Sequence, residues 1–264
     1  MKSKTSLVTG ASDGIGFELC QVMASKGYDI VLVARNIEKL EHAAERLRAS
    51  FNIETHIISC DLAEPFAAQS LLKEVKGLGL NIDVLINNAG VLFNGLFADI
   101  ELSNQEKLLQ CNIVALTALT HLFIGEMTRR GSGRILNVAS TAAWTAIPRQ
   151  NVYAASKAYV LSFSHALSAE LRASHSKVTV TVVCPSYTDT KMLDNPEQGA
   201  GINVPKFMKL SPAYVAEQGV KACLAGKPTS IPGWSNLIGM LMLQVMPKMW
   251  LAKVVGRLYT RAGE

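Results

Sequence analysis

Near its amino end the chain reads Thr5-Ser6-Leu7-Val8-Thr9-Gly10-Ala11-Ser12-Asp13-Gly14-Ile15-Gly16. Thr5–Val8 has the β-branched, apolar character of a short strand, and Gly14–Lys26 has the length and period of a helix. The turn between them carries Gly10, Gly14 and Gly16. Glycines allow a tight turn and let the backbone approach a pyrophosphate closely. The helix N-terminus adds free N–H groups and the positive end of its dipole. Glycine punctuates many strand–helix loops, so the cluster alone is weak. Its place between a strand and a helix makes Gly10, Ser12, Asp13, Gly14, Ile15 and Gly16 candidate dinucleotide-phosphate contacts.

Outward from this turn, short apolar runs alternate with longer helical segments. Further strands are expected at Asp29–Ala34, His56–Ser59, Val84–Ile86, Arg134–Val138 and Val178–Val183. None of these runs alternates strictly, as expected of strands covered on both faces of a parallel sheet. Helices are expected at Ile37–Ser50, Pro65–Lys76, Asn104–Arg130 and Asn151–Ser174. Asn36 can cap the second helix, Ser103 with Glu106 forms a capping box for the fourth, and Ser211-Pro212 starts a later one. The alternation predicts an α/β doubly wound parallel sheet, a Rossmann fold, in one domain over 1–264. After Pro185 the pattern breaks into a substrate loop at about 186–210, and a helical extension occupies about 234–264.

The chain has 264 residues, is 49% hydrophobic and carries a net charge of +5. That allows a large core, and with no long run of like charge it argues against a nucleic-acid binder. Cys20, Cys60, Cys111, Cys184 and Cys223 form no C-x-x-C pair, so neither a disulfide framework nor a metal site is expected. Met1-Lys2-Ser3-Lys4 leads directly into Leu7-Val8, and the longest apolar tract, Leu237–Met246, is too short to cross a bilayer as one helix. The expectation is a soluble, cytoplasmic protein.

The second strand ends in Val33-Ala34-Arg35-Asn36. Dinucleotide sites that bind a ribose 2′-hydroxyl place a carboxylate at this turn, whereas an arginine accommodates a 2′-phosphate. Arg35 therefore points to NADP(H), against the plainer reading of a solvated arginine. Asp13 weighs the other way, since a carboxylate in the glycine turn is unfavourable to extra phosphate charge.

Tyr153 and Lys157, in Tyr153-Ala154-Ala155-Ser156-Lys157, share one helix face. A nearby ammonium favours a phenolate and so brings tyrosine's proton transfer toward neutral pH. Such pairs are common by chance. This one has Ser140 thirteen residues upstream, at the carboxyl end of a strand, where α/β sheets bind ligands. Asn87-Asn88-Ala89-Gly90 ends the fourth strand, and Asn112 lies in the helix after it.

Taken in order over about residues 5–190, the glycine turn, Cys60-Asp61-Leu62, Asn87-Asn88-Ala89-Gly90, Asn112, Ser140, Tyr153-x-x-x-Lys157 and Pro185 resemble the single-domain short-chain dehydrogenases/reductases. The resemblance implies that Tyr153 is the general acid or base, and that Lys157 lowers its pKa and holds the nicotinamide ribose. Ser140 would orient the carbonyl oxygen, and Asn112 would anchor a relay water. It also implies that Asp61 and Leu62 meet the adenine, that Asn88, Ala89 and Gly90 line the cofactor cleft, and that Thr190 meets the carboxamide, with Pro185 and Thr188 beside it. A homodimer or homotetramer through helices 104–130 and 151–174 is implied as well. One departure is Ser186, where the family has glycine.

Substrate recognition falls to the variable region. Met192, Leu193, Ile202, Val204, Phe207 and Met208, with Trp144 and Ile147, can wall a pocket for a hydrophobic ketone, 3-oxoacyl or steroid-like substrate, or can simply bury the loop. The tail Trp234–Tyr259 is rich in methionine (Met240, Met242, Met246 and Met249). Its last helix sets Lys253, Arg257 and Arg261 apart from Trp250, Leu251, Val254 and Leu258. That pattern fits peripheral membrane contact, and it fits better a helix packed over the pocket or in a subunit interface. The expected activity is hydride transfer between NADP(H) and a carbonyl or alcohol carbon. The alternatives are an NADP(H)-binding sensor or scaffold with little turnover, and a lipid-ketone reductase at a membrane surface.

Overall fold

A computed structural model describes residues 3–190, 192, 209–234, 236, 239 and 246–260. In chain order the elements are β1 (Lys4–Thr9), α1 (Gly14–Ala24), β2 (Tyr28–Ala34), α2 (Ile37–Ser50), β3 (Thr55–Ser59), α3 (Ala67–Gly77), β4 (Ile82–Asn87), α4 (Leu102–Leu109) and α5 (Leu116–Arg130). There follow β5 (Gly133–Val138), α6 (Asn151–Ala173), β6 (Val178–Val183), α7 (Pro212–Leu224), β7 (Thr229–Ser230) and α8 (Lys248–Thr260). The seven strands form one parallel sheet in the order β3-β2-β1-β4-β5-β6-β7. The chain builds one half outward from β1, returns to pair β4 with β1, and builds the other half. The carboxyl ends of β1 and β4 thus flank a topological switch point, the place where such sheets bind ligands.

Helices cover both faces, and successive strand residues serve opposite layers. Val8, Ile30 and Leu32 pack with Leu40, Leu47 and Val220 of α2 and α7, whereas Leu7, Val31 and Val33 pack with Leu71, Phe123 and Met127 of α3 and α5. Two-sided burial is why the strand sequences show no alternation. All five cysteines are free thiols, and burial pushes Cys111 up to about 11 and Cys184 and Cys223 up to about 12. They are packing groups rather than nucleophiles. No cluster of metal-ligating side chains occurs among the described residues.

Two of the expected caps form. Asn36 Oδ1 accepts from Lys39 N at 2.7 Å, and Ser211 Oγ accepts from Tyr214 N at 3.2 Å with Pro212 opening α7. The Ser103–Glu106 capping box does not. Glu101 is the N-cap of α4, without a side-chain bond, and its carbonyl accepts from Asn104 N at 2.9 Å. Ser103 is therefore already helical. The single helix expected over 104–130 is also interrupted: Gln110–Ala115 form a π-helical turn between α4 and α5. β7 was not anticipated, because a two-residue strand, Thr229–Ser230, has no readable pattern.

Candidate active site

The glycine turn is built against the end of β4. Gly10 has φ +66°, and a Cβ there would stand 2.8 Å from Asn88 Nδ2; a Cβ on Gly16 would stand 1.9 Å from the Gly10 carbonyl oxygen. Neither position admits a side chain. Asn88 Nδ2 donates to Thr9 O at 2.9 Å and Gly10 O at 3.3 Å. The Thr9 hydroxyl accepts from the Asn88 and Ala89 amides, each at 3.0 Å, and donates to Ile86 O at 3.3 Å. Asp13 is the N-cap of α1, its carboxylate accepting from Gly14 N at 2.8 Å. Thr190 closes the turn from the opposite side, with its methyl 3.2 Å from where a Gly14 Cβ would be.

Ser140 ends β5 and caps the short 3-10 helix Thr141–Trp144. Its Oγ accepts from Ala142 N at 3.1 Å and donates to Pro185 O at 3.4 Å. The Ser140 hydroxyl also lies near enough to the Tyr153 phenol to favour its charged form. Lys157, 6% exposed, donates from Nζ to Val138 O at 3.0 Å, and Nζ lies 5.7 Å from the Tyr153 ring centre. Packing around Tyr153 pushes its phenol up to about 12, with the Ser140 hydroxyl opposing, and burial pulls the Lys157 ammonium down to about 8. Desolvation disfavours the charged form of each group.

Asn112 sits in the π-turn and is 1% exposed. Its Oδ1 accepts from Val91 N and its Nδ2 donates to Val91 O, both at 2.9 Å, with a further bond to Ser156 Oγ at 3.2 Å. The amide is thus spent as a peptide-like partner for the chain leaving β4. The side chain is a clamp that joins the π-turn to the chain leaving β4 and to Ser156 of α6. Gly90 lies above this clamp, and a Cβ there would stand 3.3 Å from Asn112 Oδ1 and 3.4 Å from Lys157 Nζ.

These groups border one cleft of about 460 Å³. Of the candidates, Gly10, Asp13, Gly14, Ile15, Gly16, Asn88, Ala89, Gly90, Ser140, Tyr153, Lys157, Pro185, Thr188 and Thr190 line it. Ser12, Arg35, Asp61, Leu62 and Asn112 do not. Arg35 is exposed at the carboxyl end of β2, with its carbonyl accepting from Ser59 Oγ at 2.9 Å. Asp61, just past β3, accepts from Ala63 N at 2.9 Å, and Leu62 is buried in the core. Both positions continue the same strand-end edge away from the cleft. Ser186 fits without a left-handed backbone, so its departure from the family's glycine costs no strain.

The far wall is apolar: Leu92, Ala142, Ile147, Met192 and Val255. Trp144, a candidate for this wall, does not line the cleft and instead packs, half-buried, against the cluster of Leu116, Val160 and Leu161. Leu193, Ile202, Val204, Phe207 and Met208 lie outside the described residues, as do Met240 and Met242. Leu92, Gln150, Tyr187 and Val255 are wall residues that sequence reasoning missed. The apolar face of the last helix was the one available signal for Val255, which packs with Ala142, Ile147 and Tyr153. A helix over the pocket was one of the readings of the tail. The variable segment is tied at its base: Thr188 bridges Leu210, Asp189 N donates to Leu210 O at 3.0 Å, and Lys209 pairs with Asp189 at 3.3 Å.

A family model described as short chain dehydrogenase matches residues 4–200. The chain is 32% identical over 232 residues to the ketoacyl reductase HetN of Nostoc sp., covering 88% of this chain and 78% of that one. It is 30% identical over 249 residues to the very-long-chain 3-oxoacyl-CoA reductase of Bos taurus, covering 87% and 76%. A short-chain dehydrogenase from Sphingobium yanoikuyae, solved in complex with NADPH, superposes with a TM-score of 0.80 at 27% identity, covering 93% and 97%. With its switch-point glycine turn and the Ser140, Tyr153 and Lys157 side chains in one cleft, the chain belongs to the short-chain dehydrogenase/reductase family of oxidoreductases.

Proposed function

We propose that this protein is an NADPH-dependent reductase of 3-oxoacyl thioesters with apolar chains. The observation that carries this reading is the contact of two surfaces: half-buried Ser140 and Tyr153, with buried Lys157 behind them, line the same cleft as the apolar wall of Leu92, Ile147, Met192 and Val255. The polar side suits a carbonyl oxygen and the apolar side an acyl chain. Identity to two reductases of oxoacyl substrates supports the same class. Arg35, with no carboxylate at the end of β2, supports the phosphorylated cofactor.

The residues divide the chemistry as follows. The glycine turn and the α1 N-terminus would hold the pyrophosphate of a bound dinucleotide, and Gly90, Lys157 and Thr190, which line the same cleft, would hold its nicotinamide end. A nicotinamide held there would supply the hydride. Ser140 donates a hydrogen bond to the substrate oxygen and stabilises the charge developing on it. A phenol held near 12 keeps its proton throughout the neutral range, so Tyr153 stands loaded as the acid for reduction. Lys157, titrating near 8, is mainly cationic at neutral pH and favours departure of that proton. Exposed Leu109, Val114 and Tyr159 on the α4–α5 and α6 helices support assembly as a homo-oligomer.

The test is cofactor depletion against β-oxoacyl thioesters, long-chain ketones, ketosteroids and small aldehydes. NADPH should be consumed faster than NADH, and fastest with the thioesters. Tyr153→Phe should bind NADPH normally while turnover falls roughly 10²–10⁴-fold. Full turnover in that variant refutes the mechanism. Tight NADPH binding without turnover of any substrate leaves the sensor or scaffold reading in its place.

A further inference from the structure

We infer that the outer face of α8 docks the mouth of the cleft on an anionic lipid bilayer. The helix presents two unlike faces. Inward, Leu251 is 5% exposed, and Val255 lines the cleft and packs with Ala142, Ile147 and Tyr153. Gly256 runs so close to the loop before α6 that a Cβ there would stand 3.2 Å from Pro148 Cγ. Outward, Met249 is 74% and Trp250 53% exposed, and Met246, Lys253 and Val254 are exposed along the same stretch. Met249 and Lys253 stand four residues apart on the helix, as do Trp250 and Val254, so these side chains form one outer strip. An exposed apolar patch of this kind marks an interaction site.

A second exposed aromatic lies by the same cleft. Trp234, 79% exposed, follows Gly233, where a Cβ would stand 3.9 Å from Leu210 Cδ2, and Leu210 bridges the cleft residue Thr188.

Charge chooses the occupant. From Pro228 to Gly263 the only charged residues are Lys248, Lys253, Arg257 and Arg261. Lys253 is exposed within the outer strip, and Arg257 follows it by about one helical turn. A two-fold pairing of copies through α8 would set these cations against themselves, with no carboxylate in the segment to answer them. An anionic bilayer answers the charges and the apolar strip together. Tryptophan settles at the headgroup level, methionine enters the acyl boundary, and lysine and arginine meet the phosphates.

The helix that rests on lipid is also the helix that walls the cleft, so an apolar substrate dissolved in the bilayer reaches the site with little exposure to water. That delivery rests on the reductase reading; the docking does not, and it is measured without substrate.

The experiment is co-sedimentation of the full chain with vesicles of phosphatidylcholine alone and of phosphatidylcholine containing one third phosphatidylglycerol. The parent should bind the anionic vesicles at least tenfold more tightly than the neutral ones, and its tryptophan emission should shift to the blue on binding. Met249→Ser combined with Trp250→Ser should weaken binding at least tenfold. Lys253→Glu should weaken it at least threefold and flatten its dependence on salt. The far-UV circular dichroism of both variants should match the parent, and Lys253→Glu decides alone should the paired variant fail to fold. No binding of the parent to anionic vesicles, or undiminished binding by the variants, overturns the inference. A parent that ignores vesicles but whose mass in solution falls on the paired substitution assigns the face to a second copy, and overturns it as well. A chain that docks as described yet reduces no thioester upholds the docking and removes the reductase reading.

Discussion

The two walls of the cleft are made by opposite means. On the floor, nearly every polar atom is assigned: Thr9, Asn88 and Asn112 together hold the glycine turn and the chain leaving β4 through bonds of 2.9–3.3 Å. The facing wall, from Leu92 to Val255, is held by contact between apolar side chains drawn from four separate stretches of chain. Hydrogen bonds fix position and direction, so the floor presents one geometry. Apolar packing fixes volume and tolerates exchange of one residue for another of similar size. The reaction is therefore set by the floor and its range of substrates by the wall.

The sharpest break in that comparison is Asn88→Ala. It orphans the Thr9 and Gly10 carbonyls, at about 1–3 kcal/mol each. The Kd for NADPH and NADH should rise together by roughly 100-fold, with a lower thermal midpoint. Unchanged affinity by fluorescence titration would mean that the turn holds its shape unaided. Arg35→Ala comes next in size. Loss of a charge-assisted contact of about 1.5–3 kcal/mol should weaken NADPH by roughly 10–100-fold and NADH much less. Equal losses for both would remove the argument for the phosphorylated cofactor. The smallest effect belongs to the wall. Ile147→Ala should raise the KM of a long-chain substrate roughly three- to tenfold relative to a short-chain one. A large fall in kcat for both chain lengths would show the wall to be part of the chemistry.

What could be read from sequence follows the same division. Strands β1 to β6 were legible because buried parallel strands are written as unbroken β-branched runs, and the floor because glycine, asparagine and tyrosine at fixed places have few substitutes. The π-turn at Gln110–Ala115 was not legible, since apolar residues continue through it and only the backbone records the extra width. Ser103 and Glu106 had the right spacing for a cap, but the helix begins at Leu102, upstream of them. Trp144 could be read as a pocket wall or as a residue burying the loop, and at the end of the 3-10 helix it packs half-buried against the Leu116, Val160 and Leu161 cluster.

The bridge between Thr188 and Leu210, braced by Asp189 and Lys209, brings together two points of the chain more than twenty residues apart in sequence. A segment that leaves and re-enters a scaffold at adjacent points can be lengthened, shortened or exchanged with little mechanical effect on the rest, because loop closure grows only slowly with length. The sheet then acts as a socket and the stretch between the two anchors as a replaceable fitting. Transplanting the corresponding stretch of another oxidoreductase between Asp189 and Lys209 becomes the natural way to re-tool this enzyme.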